Sequence, residues 1–290
     1  MVTSKRFSLF DLVNITLLAL VALAALFPFL HMAAVSLSSA EYVVRNQVGL
    51  WPKGFQLSVY SEVLHDKRLL VGYKNTIIYV LLGTTLSLTV TVMGAYSLSR
   101  RGLTFGKPIM LLIVFTMLFS GGMIPTYLVV RSYGIMNTVW AMVLPGLIST
   151  WNLIVMRTFF QGIPKEIEES GKMDGLSDYR LLWSIILPLS KPVLMTIGLF
   201  YAVAIWNNFF HALLYLREES LYPLQLVIRN IVVVGQIGDA LTNNAYDKEG
   251  VMLEALKYAF IMVATLPILV VYPFIQKHFV NGVLIGSVKG

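Results

Sequence analysis

Apolar runs of twenty or more residues recur along this chain, and they restrict the fold more than any other feature. At 1.5 Å of rise per residue, a helix of about 20 residues crosses roughly 30 Å of hydrocarbon. An open chain in lipid must pair every backbone N–H and C=O within its own segment, so these runs fold as helices. Hydropathy places six spans at about 12–36, 73–98, 108–130, 138–160, 186–216 and 256–279. Composition agrees. With 57% hydrophobic and 13% charged residues over 290 positions, the chain has too few polar side chains to clothe a soluble body of its size. The expected fold is an all-α membrane protein with six transmembrane helices. Residues 1–290 form one domain, since no repeat and no Pro/Ser-rich linker divides them.

The first run follows Lys5 and Arg6 and ends near Ser38-Ser39-Ala40, an arrangement that imitates a cleavable signal peptide. From Leu12 to Leu37 it exceeds an h-region of about 7–15 residues, so it reads as a retained span. Lysine and arginine set the orientation. With both termini cytoplasmic, the inner side holds twelve of the 22 basic residues, although its loops are much the shorter. Arg100-Arg101, in the short connection 99–107, is the clearest marker. Segments 37–72 and 217–255 are then extracytoplasmic, and segment 161–185 is cytoplasmic.

Several function classes drop out. The net charge of +7 is dispersed without aromatic interleaving, which argues against nucleic-acid binding. Cysteine is absent, so disulfides and thiolate metal sites are excluded. "GLTFGKP" at 102–108 has three residues between its glycines where a phosphate loop needs four, and proline after the lysine. No H-E-x-x-H or G-x-S-x-G occurs, so no catalytic residue, bound metal or bound cofactor is expected. The spans contain no Asp or Glu, whereas proton-driven carriers relay charge through intramembrane carboxylates. An outside energy source fits better than an ion gradient.

Against this oily background, the stretch from Lys165 to Lys191 carries five acids and four bases. Pro164 suits the first position of a helix, and Glu166, Glu168 and Glu169 fall near its positive end. Ser170 and Gly171 leave a smooth face where another backbone could approach. Asp174-Gly175 breaks the helix, and Ser177 or Asp178 can cap a second one that runs toward Pro188 and Pro192. The expected object is a helix–turn–helix along the cytoplasmic face. A plain solvated connection would carry similar charge, but not this order of small face, glycine turn and buttressed second helix.

"ESGKMDG" at 169–175, with "ILP" at 186–188, resembles the EAA loop of binding-protein-dependent ABC importers. Glu169 matches the motif's acid, Asp174 its aspartate and Gly175 its glycine. Ser170 and Gly171 replace two alanines, and the residue between isoleucine and leucine is missing. "WNNFFHALLYL" at 206–216, "LYPLQ" at 221–225, "YPFIQKHFVNG" at 272–282 and "GSVKG" at 286–290 are similar to carbohydrate-importer permeases of the maltose-transporter type, including those for alginate oligosaccharides. The resemblance covers nearly the whole chain. It implies a type I importer permease of the bacterial cytoplasmic membrane, moving an oligosaccharide by alternating access. It also implies a second, similar permease, two ATPase subunits that bind ATP and magnesium, and an extracytoplasmic substrate-binding protein that touches segment 217–255. By the same analogy Glu169, Ser170, Gly171, Asp174 and Gly175 form the coupling segment, and Gly282, Gly286, Lys289 and Gly290 reach the ATPase interface.

Candidate path residues lie in the fifth span. Asn207, Asn208 and His211 stand at i, i+1 and i+4, so one side of a continuous helix can hold all three beside Trp206. Amides and rings of this kind meet sugar hydroxyls and sugar faces, and they equally serve as glue between helices. His31, Trp151 and Asn152 are weaker candidates. "SGGMIP" at 120–125 is expected to kink the third span at Gly121, Gly122 and Pro125. "PLQLVIRNIVVV" predicts a short outer helix before a polar loop, Asp239–Gly250. Two other readings stay open: an ion-coupled secondary carrier, and a membrane scaffold that transports nothing.

Overall fold

A computed structural model describes residues 8–100, 102–234 and 255–270, and all regular structure among them is helical. The chain divides into two bodies. One joins the residues up to Asp66 with Asn230–Pro267, and the other is built mainly from Lys67–Arg229.

In the first body, α1 (Leu9–Ser36) starts at a capping box in which Ser8 and Asp11 satisfy each other's backbone N–H groups. None of its most apolar window is buried, which is the surface of a span facing lipid or other spans. The helices α2 (Ala40–Val44) and α3 (Ser58–His65) follow. Ser38 stitches the α1 exit. Its hydroxyl donates to Ala34 O at 2.6 Å and accepts from Lys53 N at 3.0 Å, while Gln56 N donates to Leu37 O. Ala34, Val35, Val43 and Val48 form the core here, with Tyr258 against them.

The second body is organised on α4 (Lys67–Ser99). Its buried positions include Gly72, Asn75, Thr76, Tyr79, Gly83, Ser87, Thr91 and Ala95, every third or fourth residue and therefore one face. Most are small, as close helix packing in a membrane requires. A Cβ at Gly83 would lie 2.7 Å from Ile205 Cδ1. Onto this face pack the helices Thr150–Gln161 and Lys191–Trp206, the heart of a core holding Ala95, Met156, Leu181, Ile186 and Ile197.

The third, fourth and fifth apolar runs are each broken into a bent pair of helices. The third consists of α5 (Gly106–Leu118) and α6 (Met123–Ser132), which meet at 113° across residues 119–122. Gly122, at φ +83°, precedes α6. The expected kink is a complete interruption, and Pro125 sits harmlessly in the first turn of α6, where its missing N–H has no partner to lose. The fourth comprises α7 (Val139–Val143), a 3-10 turn (Leu144–Gly146) and α8 (Thr150–Gln161), bent by 55°. A straight helix over 138–160 is therefore replaced by two pieces.

The fifth run departs most from expectation. After α9 (Lys165–Met173) come α10 (Asp178–Leu181), a π-helical turn (Leu182–Ile186) and α11 (Leu187–Leu189), and then α12 (Lys191–Trp206) leaves at 86°. Pro188 and Pro192 withhold the N–H groups that Ser184 O and Pro188 O would accept, so the ladder widens and then turns. Ser190 at the corner donates to Ile186 O through both its backbone N–H at 3.0 Å and its hydroxyl at 2.7 Å. α13 (Phe210–Tyr215) and α14 (Leu224–Val234) complete this region, α14 being the short helix expected over this stretch. α15 (Ala255–Val270) is the described part of the sixth run. The loop Asp239–Gly250 lies outside the described residues.

Candidate coupling site and translocation path

The charged segment folds as a helix–turn–helix. Glu166 and Glu168 occupy the first turn of α9 and Lys172 its last, each sign on the end of the helix dipole that favours it. Pro164 stands one position before the helix as its cap residue. Asp174 ends α9, and Gly175 turns the chain at φ +77°, a conformation in which a side chain meets its own backbone. A Cβ there would touch nothing else, so the demand for glycine is conformational alone. Ser177 caps α10 by accepting from Arg180 N.

Gly171 corrects the expectation of an outward small-residue face. It is buried, and a Cβ on it would lie 2.6 Å from Leu181 Cδ1 and 3.5 Å from Ile185 Cδ1. The glycine lets α9 lie against α10 and the π-helical turn of its own chain, because α10 returns beneath α9 directly after the turn. Ser170 faces outward, its hydroxyl satisfied by Ile167 O, beside exposed Glu169. Met173, Tyr179 and Trp183 are also strongly exposed, which gives the charged segment an apolar outer surface.

Between α9 and the end of α4 lies a cleft of roughly 1100 Å³, bordered by Ser97, Arg100, Lys165, Glu166, Glu169 and Asp178. Arg100 pairs with Glu168 across it, and its guanidinium carbon lies 3.9 Å from the centroid of the Tyr96 ring. Sequence reading used Arg100 only as a mark of orientation. Its partner lies in a different connection, and no local signal joins the two.

The candidate path residues are only partly brought together. The helix ends at Trp206, so the picture of three polar residues on one continuous helix fails. The chain reopens at 207–209, where Asn208 caps α13: its Oδ1 accepts from His211 N at 3.1 Å, and its Nδ2 lies 2.9 Å from His211 Nδ1. Asn207 is exposed and donates back to Val203 O. The Trp206 indole N–H is buried and finds no acceptor. Asn152 is buried in α8, with its backbone N–H bonded to Ser149 Oγ. His31 bonds the Gly49 carbonyl region at 3.0 Å, and Trp151 is exposed.

A polar junction not anticipated from sequence sits where the fourth span breaks. Thr91 and Tyr201 hydroxyls lie 2.7 Å apart in the interior, and Tyr201 OH also accepts from Ser149 N at 2.9 Å. An N–H freed by the bend thus finds its partner on another helix. Gly282, Gly286, Lys289 and Gly290 lie outside the described residues.

Known proteins share this architecture. The chain is 43% identical to the protein LplC of Bacillus subtilis over 291 aligned residues, covering 99% of this chain and 97% of that one. It is also 43% identical to the polygalacturonan/rhamnogalacturonan transport system permease protein YtcP of Bacillus subtilis, covering 97% and 99%. Its fold matches a chain in the crystal structure of a bacterial ABC transporter involved in the import of the acidic polysaccharide alginate. The TM-score is 0.87 at 34% identity, over 95% of this chain and all of the other. Residues 84–285 match the family described as the binding-protein-dependent transport system inner membrane component, which takes in the coupling segment and the bent spans, and the chain belongs to that family.

Proposed function

We propose that this chain is one permease subunit of an oligosaccharide importer in the bacterial cytoplasmic membrane. In this reading it pairs with a second, similar permease, and the pair takes substrate from an extracytoplasmic binding protein. Two ATPase subunits, which hold ATP and magnesium, close on each other and displace the coupling segment. Movement of α9 then alternates access to a path near the middle of the membrane. Both termini lie in the cytoplasm, as the basic residues favour.

The observation that carries the reading is the coupling segment itself. A helix–turn–helix with exposed Glu169, a glycine turn at positive φ and exposed Met173, Tyr179 and Trp183 is suited to being covered by another protein. A solvated connection has no use for that apolar face. Trp206, Asn208 and His211 supply ring and amide groups for a hydroxyl-rich substrate, and the lone indole N–H is a ready donor. The absence of Asp and Glu from the spans leaves no fixed negative charge to repel an acidic oligosaccharide. That agrees with relatives named for polygalacturonan and alginate.

Substrate-stimulated ATP hydrolysis by the purified complex tests the assignment, with membrane level of the subunit as control. Gly175→Val and Glu169→Lys should each lower stimulation at least about tenfold, since changes along a coupling element shift it by about that factor. Insertion should not change, because it depends on apolar length. Normal stimulation and normal uptake in both variants would reduce the segment to a solvated loop. Uptake driven by an ion gradient without ATP would make the chain a secondary carrier. Oligogalacturonates against neutral maltodextrins as substrates decide the charge preference.

A further inference from the structure

Arg100 leaves the cytoplasmic end of α4 and turns back into the cleft, where its two terminal guanidinium nitrogens are shielded from solvent. Its charge partner is Glu168, in the first turn of α9, and the two side chains are 19% and 29% exposed. Beneath the guanidinium lies the Tyr96 ring, one helical turn earlier on α4. Tyr96 is itself buried, packs edge-on against Phe160, and donates its hydroxyl to Asp178 O at 3.3 Å. A single turn of α4 therefore grips both halves of the coupling segment: α9 through Arg100, and the start of α10 through Tyr96. Arg157 joins α8 to the same turn by donating to Leu98 O at 2.9 Å.

The two ion pairs of the segment differ in what they can do. Lys172–Asp178 spans 3.4 Å with side chains 56% and 66% exposed, where water and salt screen it. Arg100–Glu168 is largely withdrawn from water, so its attraction is less screened, and loss of either partner strands a charge.

We propose that Arg100 is a positioning residue that clasps Glu168, so that displacement of α9 moves α4, and with it the packed core, as one piece. The proposal rests on the reading of the chain as an importer permease. α4 is the helix against which α8 and α12 pack, so a clasp at its end converts movement of a surface helix into movement of spans. Without it α9 can swing over the cleft while α4 stays behind. ATP is then consumed without matched uptake.

The test uses the complete transporter in proteoliposomes, with spin labels on cysteines placed at Ser97 and Glu166, on opposite sides of the cleft. With Arg100 intact, the label-to-label distance distribution should keep its width in nucleotide-free and ATP-trapped states. Arg100→Gln should broaden it and lower uptake per ATP hydrolysed about tenfold, while the partner subunits still copurify. Glu168→Gln should do the same from the other side. Arg100→Lys, which keeps the charge over Tyr96, should recover most of the coupling. An unchanged distribution with unchanged uptake per ATP in Arg100→Gln overturns the clasp, and so does Arg100→Lys behaving no better than Arg100→Gln. Failure of the unaltered complex to import or to hydrolyse ATP would instead overturn the importer reading, and the spin-label comparison would still decide the clasp.

Discussion

The two ends of the second body are held by different chemistry. At the coupling end, ion pairs, a cation over a ring and a glycine turn hold α9 and α10 against α4. At the opposite end, neutral groups bind backbone. Asn75 donates to Ser220 O at 2.8 Å and Tyr222 O at 3.1 Å, Tyr79 donates to Leu221 O, and Thr76 Oγ1 accepts from Leu224 N. Asn137 adds a further clasp, its Oδ1 accepting from Arg217 N and Glu218 N while its Nδ2 donates to Glu218 Oε1. Buried amide-to-carbonyl bonds leave no alternative partner, so residues 217–224 are pinned to the start of α4. The exposed Lys172–Asp178 pair keeps water as a competing partner, whereas Arg100–Glu168 is less exposed. One end of α4 is thus pinned to residues 220–224 by buried amides, and the other is held by ion pairs of unequal exposure.

The largest expected effect tests the pinned end. Asn75→Leu conserves volume but strips the donor from two carbonyls at once, and should cost about 2–4 kcal/mol of stability. Thermal unfolding of the purified complex measures it. A loss no greater than that of an exposed substitution would show that the amide clamp is replaceable by water, and the contrast between the ends would collapse.

The second effect separates space from conformation within the coupling end. Gly171→Leu forces a side chain against Leu181 where even a Cβ would lie 2.6 Å away, and overpacking of that kind costs about 1–3 kcal/mol. Gly175→Ala meets no neighbour and should cost about 1 kcal/mol, from the positive φ alone. Limited proteolysis of the segment in the assembled complex ranks them. If Gly171→Leu proved the milder change, α9 would not be packed on α10 as seen.

The sequence made some of this legible and hid the rest for physical reasons. The helix–turn–helix at 165–181 could be read because its signals are local: acids at a helix start, Asp-Gly at a turn, serine at a cap. The interruption at Gly121-Gly122 was equally local. The bends at Ser190 and at 147–149 were not, because hydropathy sums over a window and registers length, not direction. The same averaging made Asn207, Asn208 and His211 look like one helical face, when Asn208 in fact starts a new helix. Arg100–Glu168 and the Asn75 clamp escaped for another reason. The latter joins residues 145 apart, and nothing near Asn75 announces carbonyls that only folding brings there. Gly171 was recognised as small, but smallness does not say whether the neighbour it admits belongs to another protein or to its own chain.

The smallest expected effect is the most direct comparison of the two ion pairs. Lys172→Ala removes the exposed pair with Asp178, 3.4 Å apart, and should change stability by less than about 0.5 kcal/mol. The residue also sits in the last turn of α9, where a cation complements the helix dipole, an increment of similar size and equally open to screening. Both terms should fade together as salt rises from low concentration to about 1 M, where the screening length falls to about 3 Å. Arg100→Gln should retain more of its effect on uptake per ATP across the same range, because the pair with Glu168 is less exposed than Lys172–Asp178 and therefore less screened. Parallel salt titrations of the two variants provide the measurement. If Arg100→Gln lost its effect as salt rose, in step with Lys172→Ala, the pair with Glu168 would be as wet as its neighbour, and the inner end would owe its hold on α4 to packing around Leu181 and Ile186.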